Sequence, residues 1–317
     1  MARSWPPVDL DATRVPENVT VLCVAVSALL ATSSLRVDVA GGPVIDGLTL
    51  ESTGQRVLVL GAPRALFEAA AGLRALEHGG LLVDGTSPES ACRSRVAAAA
   101  PLDPPMPRRW TVFQYIRWSA RLSGLSGAEC EGAVHEALER LHLLKQASTR
   151  LAKADVTLRR GTVIGAALAT RARIVLLEDP TLGLPGDAGQ SFARTIAHAM
   201  QTQRTLLFAG RAPLDSPIAR AADEAIVLDR SRVVAQGPPA EIAARENSFT
   251  VWVAGDVEAF TSALTASGGQ LQSSERSADA ARFTVNLGGL GTRDLLRVAE
   301  ANRAVVLELR PLTRVFA

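Results

Sequence analysis

The stretch Arg56-Val57-Leu58-Val59-Leu60-Gly61-Ala62-Pro63-Arg64-Ala65-Leu66-Phe67-Glu68-Ala69-Ala70-Ala71 decides the fold class. Val57 to Leu60 is a continuous apolar run, as a strand buried on both faces should be. Gly61 and Pro63 make a turn. A helix-forming run follows, expected to continue to about His78, where Gly79-Gly80 would stop it. Upstream, Leu35 to Val39 alternates apolar and charged residues, as in a half-buried strand. Gly41-Gly42-Pro43 turns the chain, and Leu48 to Glu51 forms the next strand. Leu81 to Gly85 reads as a short strand. Further along, Ile174 to Leu177, Thr205 to Phe208 and Ile226 to Asp229 are apolar runs, and Arg232 to Ala235 pairs with the last of them. Val112 to Gly124, Ala128 to Leu144, Val163 to Thr170 and Gly189 to Gln201 carry helical texture. Strands buried on both faces and alternating with helices imply a layered α/β core with a largely parallel sheet.

A second unit begins after Ile242. Thr250 to Val253, Leu271 to Ser273, Arg282 to Asn286 and Val305 to Leu309 read as strands, with helices at Val257 to Ala266 and Thr292 to Ala301. The order β-α-β-β-α-β predicts a ferredoxin-like module over 249–317. The division expected is an N-terminal arm with a first strand (1–34), a main domain (35–242) with a helical part over about 104–170, and this module. The apolar run Val19 to Ala31 is shorter than the roughly 20 residues a spanning helix needs. Asp9, Asp11 and Glu17 precede it where a signal peptide would be cationic, so a buried strand is favoured over a signal peptide.

Composition narrows the function. At 317 residues, 47% apolar, the chain supports one large and one small domain. A formal net charge of +2 gives no electrostatic case for nucleic acid as a partner. Cys23, Cys92 and Cys130 have no metal-ligand spacing, which fits free thiols in a reducing compartment. His78, His135, His142 and His198 are equally scattered, so no metal is expected. No nucleophile elbow accompanies a Ser-His-Asp order.

A strand-turn-helix of this kind is where a phosphate-binding P-loop would sit, and here that loop cannot be built. The motif G-x-x-x-x-G-K-[ST] needs glycines to let backbone N–H groups close on phosphate, a lysine for the β/γ-phosphates and a hydroxyl for Mg²⁺. Between Gly61 and Phe67 there is neither lysine nor second glycine, and the first lysine in the chain is Lys145. Arg64 is the nearest cation, on a turn too short for the role.

Taken in order, the segments resemble the ATPase subunit of an ABC transporter, of the exporter type whose ATPase carries a small C-terminal domain. Val44 to Leu50, Thr111 to Trp118, Leu176 to Leu184 and Ala222 to Asp229 carry the resemblance, as does the tail Pro311 to Phe316. It spans about nine-tenths of the chain. The resemblance implies an ABC-ATPase-like (P-loop NTPase-like) core and assigns roles that these residues do not fill. The Q-loop glutamine falls on Leu102. The signature serine falls on Asp155, within Ala154-Asp155-Val156-Thr157-Leu158. The switch histidine falls on Arg211. Glu178 takes the Mg²⁺ aspartate's place and Asp179 the catalytic glutamate's. The adenine-stacking aromatic near Gly41-Gly42 is missing. A non-catalytic subunit is therefore expected, binding no cofactor and docking to a membrane permease. It would pair as a homodimer or as a heterodimer with an active ATPase, at the inner, cytoplasmic face of the membrane. An active but atypical ATPase, binding ATP and Mg²⁺, and a free-standing scaffold or regulator are the alternatives.

One aromatic cluster stands out in an aromatic-poor chain: Met106, Trp110, Phe113, Tyr115 and Trp118. Core packing is the favoured reading for Phe113 and Trp118. The resemblance places Met106, Trp110 and Tyr115 at the groove that receives the permease, where aromatic and Met anchors are expected.

Overall fold

A computed structural model describes residues 28–39, 42–210, 212, 214, 216–229, 231–246, 248–277 and 280–311. Residues 19–27 of the first apolar run, Arg211 and the tail 312–317 lie outside them. The chain opens with an antiparallel hairpin of β1 (Leu30–Val39) and β2 (Gly42–Glu51), followed by β3 (Arg56–Leu60), α1 (Arg64–Ala70) and β4 (His78–Val83). Next come α2 (Pro88–Arg93), β5 (Ala97–Ala100) and three helices, α3 (Val112–Leu122), α4 (Gly127–Arg140) and α5 (Val156–Ala169). The main body finishes with β6 (Ile174–Glu178), α6 (Gly186–Ala199), β7 (Arg204–Ala209), α7 (Pro217–Ala221), β8 (Glu224–Asp229), β9 (Arg232–Gly237) and α8 (Pro239–Glu246). The last part is β10 (Ser248–Gly255), α9 (Val257–Ala266), β11 (Gln270–Ser277), β12 (Ala280–Asn286), α10 (Thr292–Ala301) and β13 (Ala304–Pro311).

Six strands form the central sheet in the order β5-β6-β7-β3-β8-β9, parallel except for β9. Period-two alternation divides its side chains between two cores. Leu58, Leu60, Val175, Leu177, Leu207 and Val227 face the layer of α3 to α6. Val57, Val59, Ile174, Leu176, Phe208 and Ile226 face α1 and the antiparallel sheet β2-β1-β4. The expected α/β class with a mainly parallel sheet is what forms. α3 and α5 approach closely at Gly165, where an added Cβ would lie 2.9 Å from Ile116 Cδ1. A capping box fixes the start of α3: Thr111 Oγ1 accepts from the Gln114 N–H at 3.2 Å, and Gln114 Oε1 accepts from the Thr111 N–H at 2.9 Å.

The C-terminal strands make a separate antiparallel sheet, order β11-β12-β10-β13, with its own core around Val251, Phe260, Phe283 and Leu295. This is the ferredoxin-like arrangement.

Several boundaries differ from the sequence reading. α1 ends at Ala70, not His78. Gly72 adopts φ +67, its N–H bonds Ala69 O, and the Leu73 N–H bonds Glu68 O. That left-handed glycine cap ends the helix. Gly79-Gly80 instead lie inside β4, where a Cβ on Gly79 would strike the Ser34 carbonyl. β1 starts at Leu30 and so crosses the expected boundary at residue 34. A register shift between Thr32 and Leu35 breaks its alternation and hides its first half. α5 begins seven residues before Val163, because Asp155 caps it. The expected polar connection at 243–248 is helical as far as Glu246. β5, four alanines, carries no strand signal in the sequence.

Phe67 and Phe208 meet edge-on across α1 and β7 at 5.9 Å, and Phe283 fills the C-terminal core. Phe67→Ala and Phe283→Ala should each cost about 3–5 kcal/mol in chemical denaturation. A loss well under 1 kcal/mol at either would contradict the packing described.

Candidate functional site

The carboxyl ends of β3, β5, β6 and β7 converge at the edge where an α/β sheet builds its site. The turn after β3 is three residues long, Gly61 to Pro63. Gly61 has φ +68, and a Cβ there would run into the Leu228 carbonyl oxygen. The Ala62 N–H is committed to Ala209 O at 3.3 Å, and Pro63 has no N–H to offer. A backbone cradle for phosphate needs several convergent N–H groups. Neither Ala62 nor Pro63 supplies one.

Arg64, the first residue of α1, turns its guanidinium onto two carboxylates. Its Nε lies 3.0 Å from Glu68 and 3.3 Å from Glu178 at the end of β6. Glu68 is held from the other side by Arg74. Glu178 is buried, 6% exposed, and its second oxygen accepts from the Leu102 N–H at 2.7 Å. Burial pushes its carboxyl above the ordinary value. The Leu102 N–H and Arg64 oppose that shift, and Glu68 and Asp179 reinforce it. Asp179 sits at φ +32, its carboxylate accepts from the Gly210 N–H at 3.1 Å, and burial raises it too. The two carboxylates are thus occupied by an arginine and by backbone amides. Among the described residues, no cluster of three or more His, Cys, Asp or Glu side chains could hold a metal.

A third cation, missed in the sequence, closes the arrangement. Arg160 of α5 is 8% exposed and bonds Asp103 and the carbonyls of Pro180 and Leu182. It ties the helical layer to the segments after β5 and β6. The arginine lowers the Asp103 carboxyl. Nothing in the local pattern marks Arg160. The four-residue spacing of Arg64 and Glu68, by contrast, could have been read as a helix-surface pair.

No protein-family model matches the chain. It is 29% identical over 235 residues to the hemin import ATP-binding protein HmuV of Streptomyces coelicolor, 68% of this chain and 80% of that one. A shorter match, 28% over 133 residues, joins it to the energy-coupling factor transporter ATP-binding protein EcfA2 of Caldanaerobacter subterraneus, 42% of this chain and 46% of that one. Among solved structures, cbiO1 from Clostridium perfringens, part of the ABC transporter complex cbiONQ, superposes with TM-score 0.59 at 18% identity. The superposition covers 68% of this chain and 90% of that one. A nucleotide-free ATP-binding cassette from an ABC transporter gives TM-score 0.57 at 14% identity, over 68% and 94%. The chain is similar to ABC-transporter ATP-binding subunits, and its main body has the fold of their ATP-binding cassettes.

In that frame the structure brings Gly61, Arg64, Leu102, Glu178 and Asp179 to one sheet edge. Asp155 lies apart at the start of α5, where its side chain accepts from the Leu158 N–H at 2.7 Å. Its carboxylate occupies a helix N-terminus that would otherwise attract an anion. Met106 lines a cleft with Leu151 and Val156. Trp110 and Tyr115 instead surround Trp118, at 5.7 and 6.2 Å between ring centroids. All three candidates are half-buried. Trp118, expected in the core, is 46% exposed, because α3 turns Val112, Ile116 and Ala120 inward instead.

Glu178 sets a pH test. Its raised carboxyl means that the ionised form is disfavoured in the fold, a cost present at neutral pH that is relieved as pH falls through the folded value. Glu178→Gln keeps an acceptor for the Leu102 N–H and leaves Arg64, 63% exposed, to solvent and Glu68. The variant should unfold no more easily than the parent at pH 7. The difference should close as pH falls towards the ordinary carboxyl value of 4.5. A loss of about 3 kcal/mol at pH 7 would show instead that the ion pair is a net stabiliser.

Proposed function

We propose that the protein is a non-catalytic ATP-binding-cassette subunit, keeping the fold of its relatives for docking and lacking their nucleotide chemistry. The observation that carries this reading is the Arg64–Glu178 ion pair behind a three-residue turn. Phosphoryl transfer relies on positioning and charge stabilisation by the loop, its lysine and Mg²⁺. Here an arginine of the chain itself occupies the carboxylate that would face the metal. Pro63 and the bonded Ala62 amide stand in for the cradle. An Asp155 carboxylate at the signature position adds a charge that repels phosphate.

Its partners in this reading are a membrane permease and an ATPase subunit, a second copy or an active homologue, at the cytoplasmic face of the membrane. Among the described residues no helix is long and apolar enough to cross a membrane. The exporter assignment rests on the ferredoxin-like C-terminal unit, since the matched relatives carry import and energy-coupling names. That unit would form a domain of its own beginning near Phe249.

Titration with a fluorescent ATP analogue and Mg²⁺ tests the loss of nucleotide binding. No saturable micromolar binding is expected. Thermal unfolding should be unmoved by ATP, whereas a ligand at about 100 times its Kd would add about 2.7 kcal/mol. Saturable binding would restore the atypical-ATPase reading.

For the permease, Trp110→Ala and Tyr115→Ala should each weaken capture of the membrane subunit from detergent by about 2 kcal/mol. Normal melting with lost capture fits docking. Collapse of melting in both would make these side chains core.

A further inference from the structure

The central sheet has an unguarded edge at β5, which the proposed docking does not use. In the parallel register Ala97 lies beside Ile174 and Ala98 beside Val175, and the Ile174 N–H bonds the Val96 carbonyl at 2.9 Å. A parallel ladder turns successive residues alternately toward its two sides. Ala98 and Ala100 therefore bond β6, while the N–H and C=O groups of Ala97 and Ala99 point to the free edge. Among the described residues no strand pairs with that side of β5, and no hydrogen bond reaches those groups. Sheet edges are commonly blunted by a charged side chain, a proline or a bulge, and β5 has none of these within it.

The edge opens into a groove of about 580 Å³, lined by Ala97 to Ala99 and, from neighbouring elements, by Arg93, Arg95, Ser119 and Ser123. No carboxylate lines it, and among the described residues Arg93 and Arg95 make no ion pair. The Ser119 and Ser123 hydroxyls already donate to the Ala166 and Ala120 carbonyls, so the two guanidinium groups are the donors left over. Backbone donors and acceptors repeating at the period of a strand are matched by another extended backbone. A helix bonds its own amides, and a lipid surface has no such period. Guanidinium groups beside the edge favour carboxylates on whatever pairs there. The four residues of β5 span about 13 Å at about 3.3 Å each, the length of a short peptide segment.

We infer that the free edge of β5 receives an extended, acidic peptide segment of a partner protein as an added strand. The segment's backbone bonds the N–H and C=O groups of Ala97 and Ala99, and its carboxylates meet Arg93 and Arg95. Neither Trp110 nor Tyr115 lines this groove, and the inference stands without the transport reading.

A fluorescein-labelled, end-capped peptide of alternating glutamate and valine, titrated with the full chain, tests it. Saturable binding is expected, and the lysine–valine counterpart should bind at least about ten-fold more weakly. A version methylated on every backbone nitrogen cannot pair and should not bind. Ala99→Pro removes an outward N–H and leaves the β6 bonds of Ala98 and Ala100 in place, so it should lower affinity at least about ten-fold. Arg93→Glu and Arg95→Glu change exposed side chains and should each lower it about ten-fold, with melting unchanged. Added peptide should slow hydrogen exchange at the Ala97 and Ala99 amides and leave Ala98 as it was. No saturable binding, equal binding of the three peptides, or parental binding by all the variants overturns the inference. A dimer of the full chain that Ala99→Pro dissolves would make the occupant a second copy. Peptide binding that appears only on removal of residues 1–27 would make it the N-terminal arm, and either result overturns the inference as well.

Discussion

The structure depends on four parallel strands that are apolar on both faces. Leu58 and Leu60 on one side of β3, with Val57 and Val59 on the other, mean that neither face of the sheet tolerates water. Burying such side chains is worth roughly 1.5–3 kcal/mol each, so two covering layers are obligatory. The helices α3 to α6 form one layer, and α1 with the antiparallel sheet forms the other. The carboxyl ends of the strands are then one place where polar groups gather against the core. That constraint puts Glu178, Asp179, Leu102 and the Gly61 turn side by side.

At that edge the protein has satisfied its charges internally. A buried carboxylate must be paired or hydrogen-bonded. Glu178 has Arg64 and the Leu102 N–H, Asp179 has the Gly210 N–H, and Arg160 has Asp103 and two carbonyls. In a nucleotide-binding site such groups wait for a ligand to complete them. Here they complete one another and tie β6 to α1. Arg160 extends these ties to the helical layer.

The ionised pair is unevenly exposed. Arg64 stays largely in solvent while Glu178 is buried, so the arginine loses little hydration. The upward shift of the Glu178 carboxyl follows from that asymmetry: burial outweighs the nearby cation and the amide.

The sequence by itself determined most of the strands of the central sheet, the class of fold and the absence of a lysine after β3. Continuous apolar runs such as Val57 to Leu60 have only one way to be buried, and a missing lysine is missing in any conformation. It also determined the ferredoxin-like order of the C-terminal elements, whose helices begin and end where their periodicity does. Tertiary structure alone decided which polar groups meet. Arg64, Leu102 and Glu178 are far apart in the chain, and only the crossover topology brings them within bonding distance. It decided that Trp118 faces outward, since α3 had several apolar stripes to choose from and the position of α5 selected one. It decided that Gly79-Gly80 belong to a strand, because β1 was there to pair with them. Where burial leaves one outcome, the residues announce it. Where several side chains compete for the same partner or face, the choice belongs to elements distant in sequence.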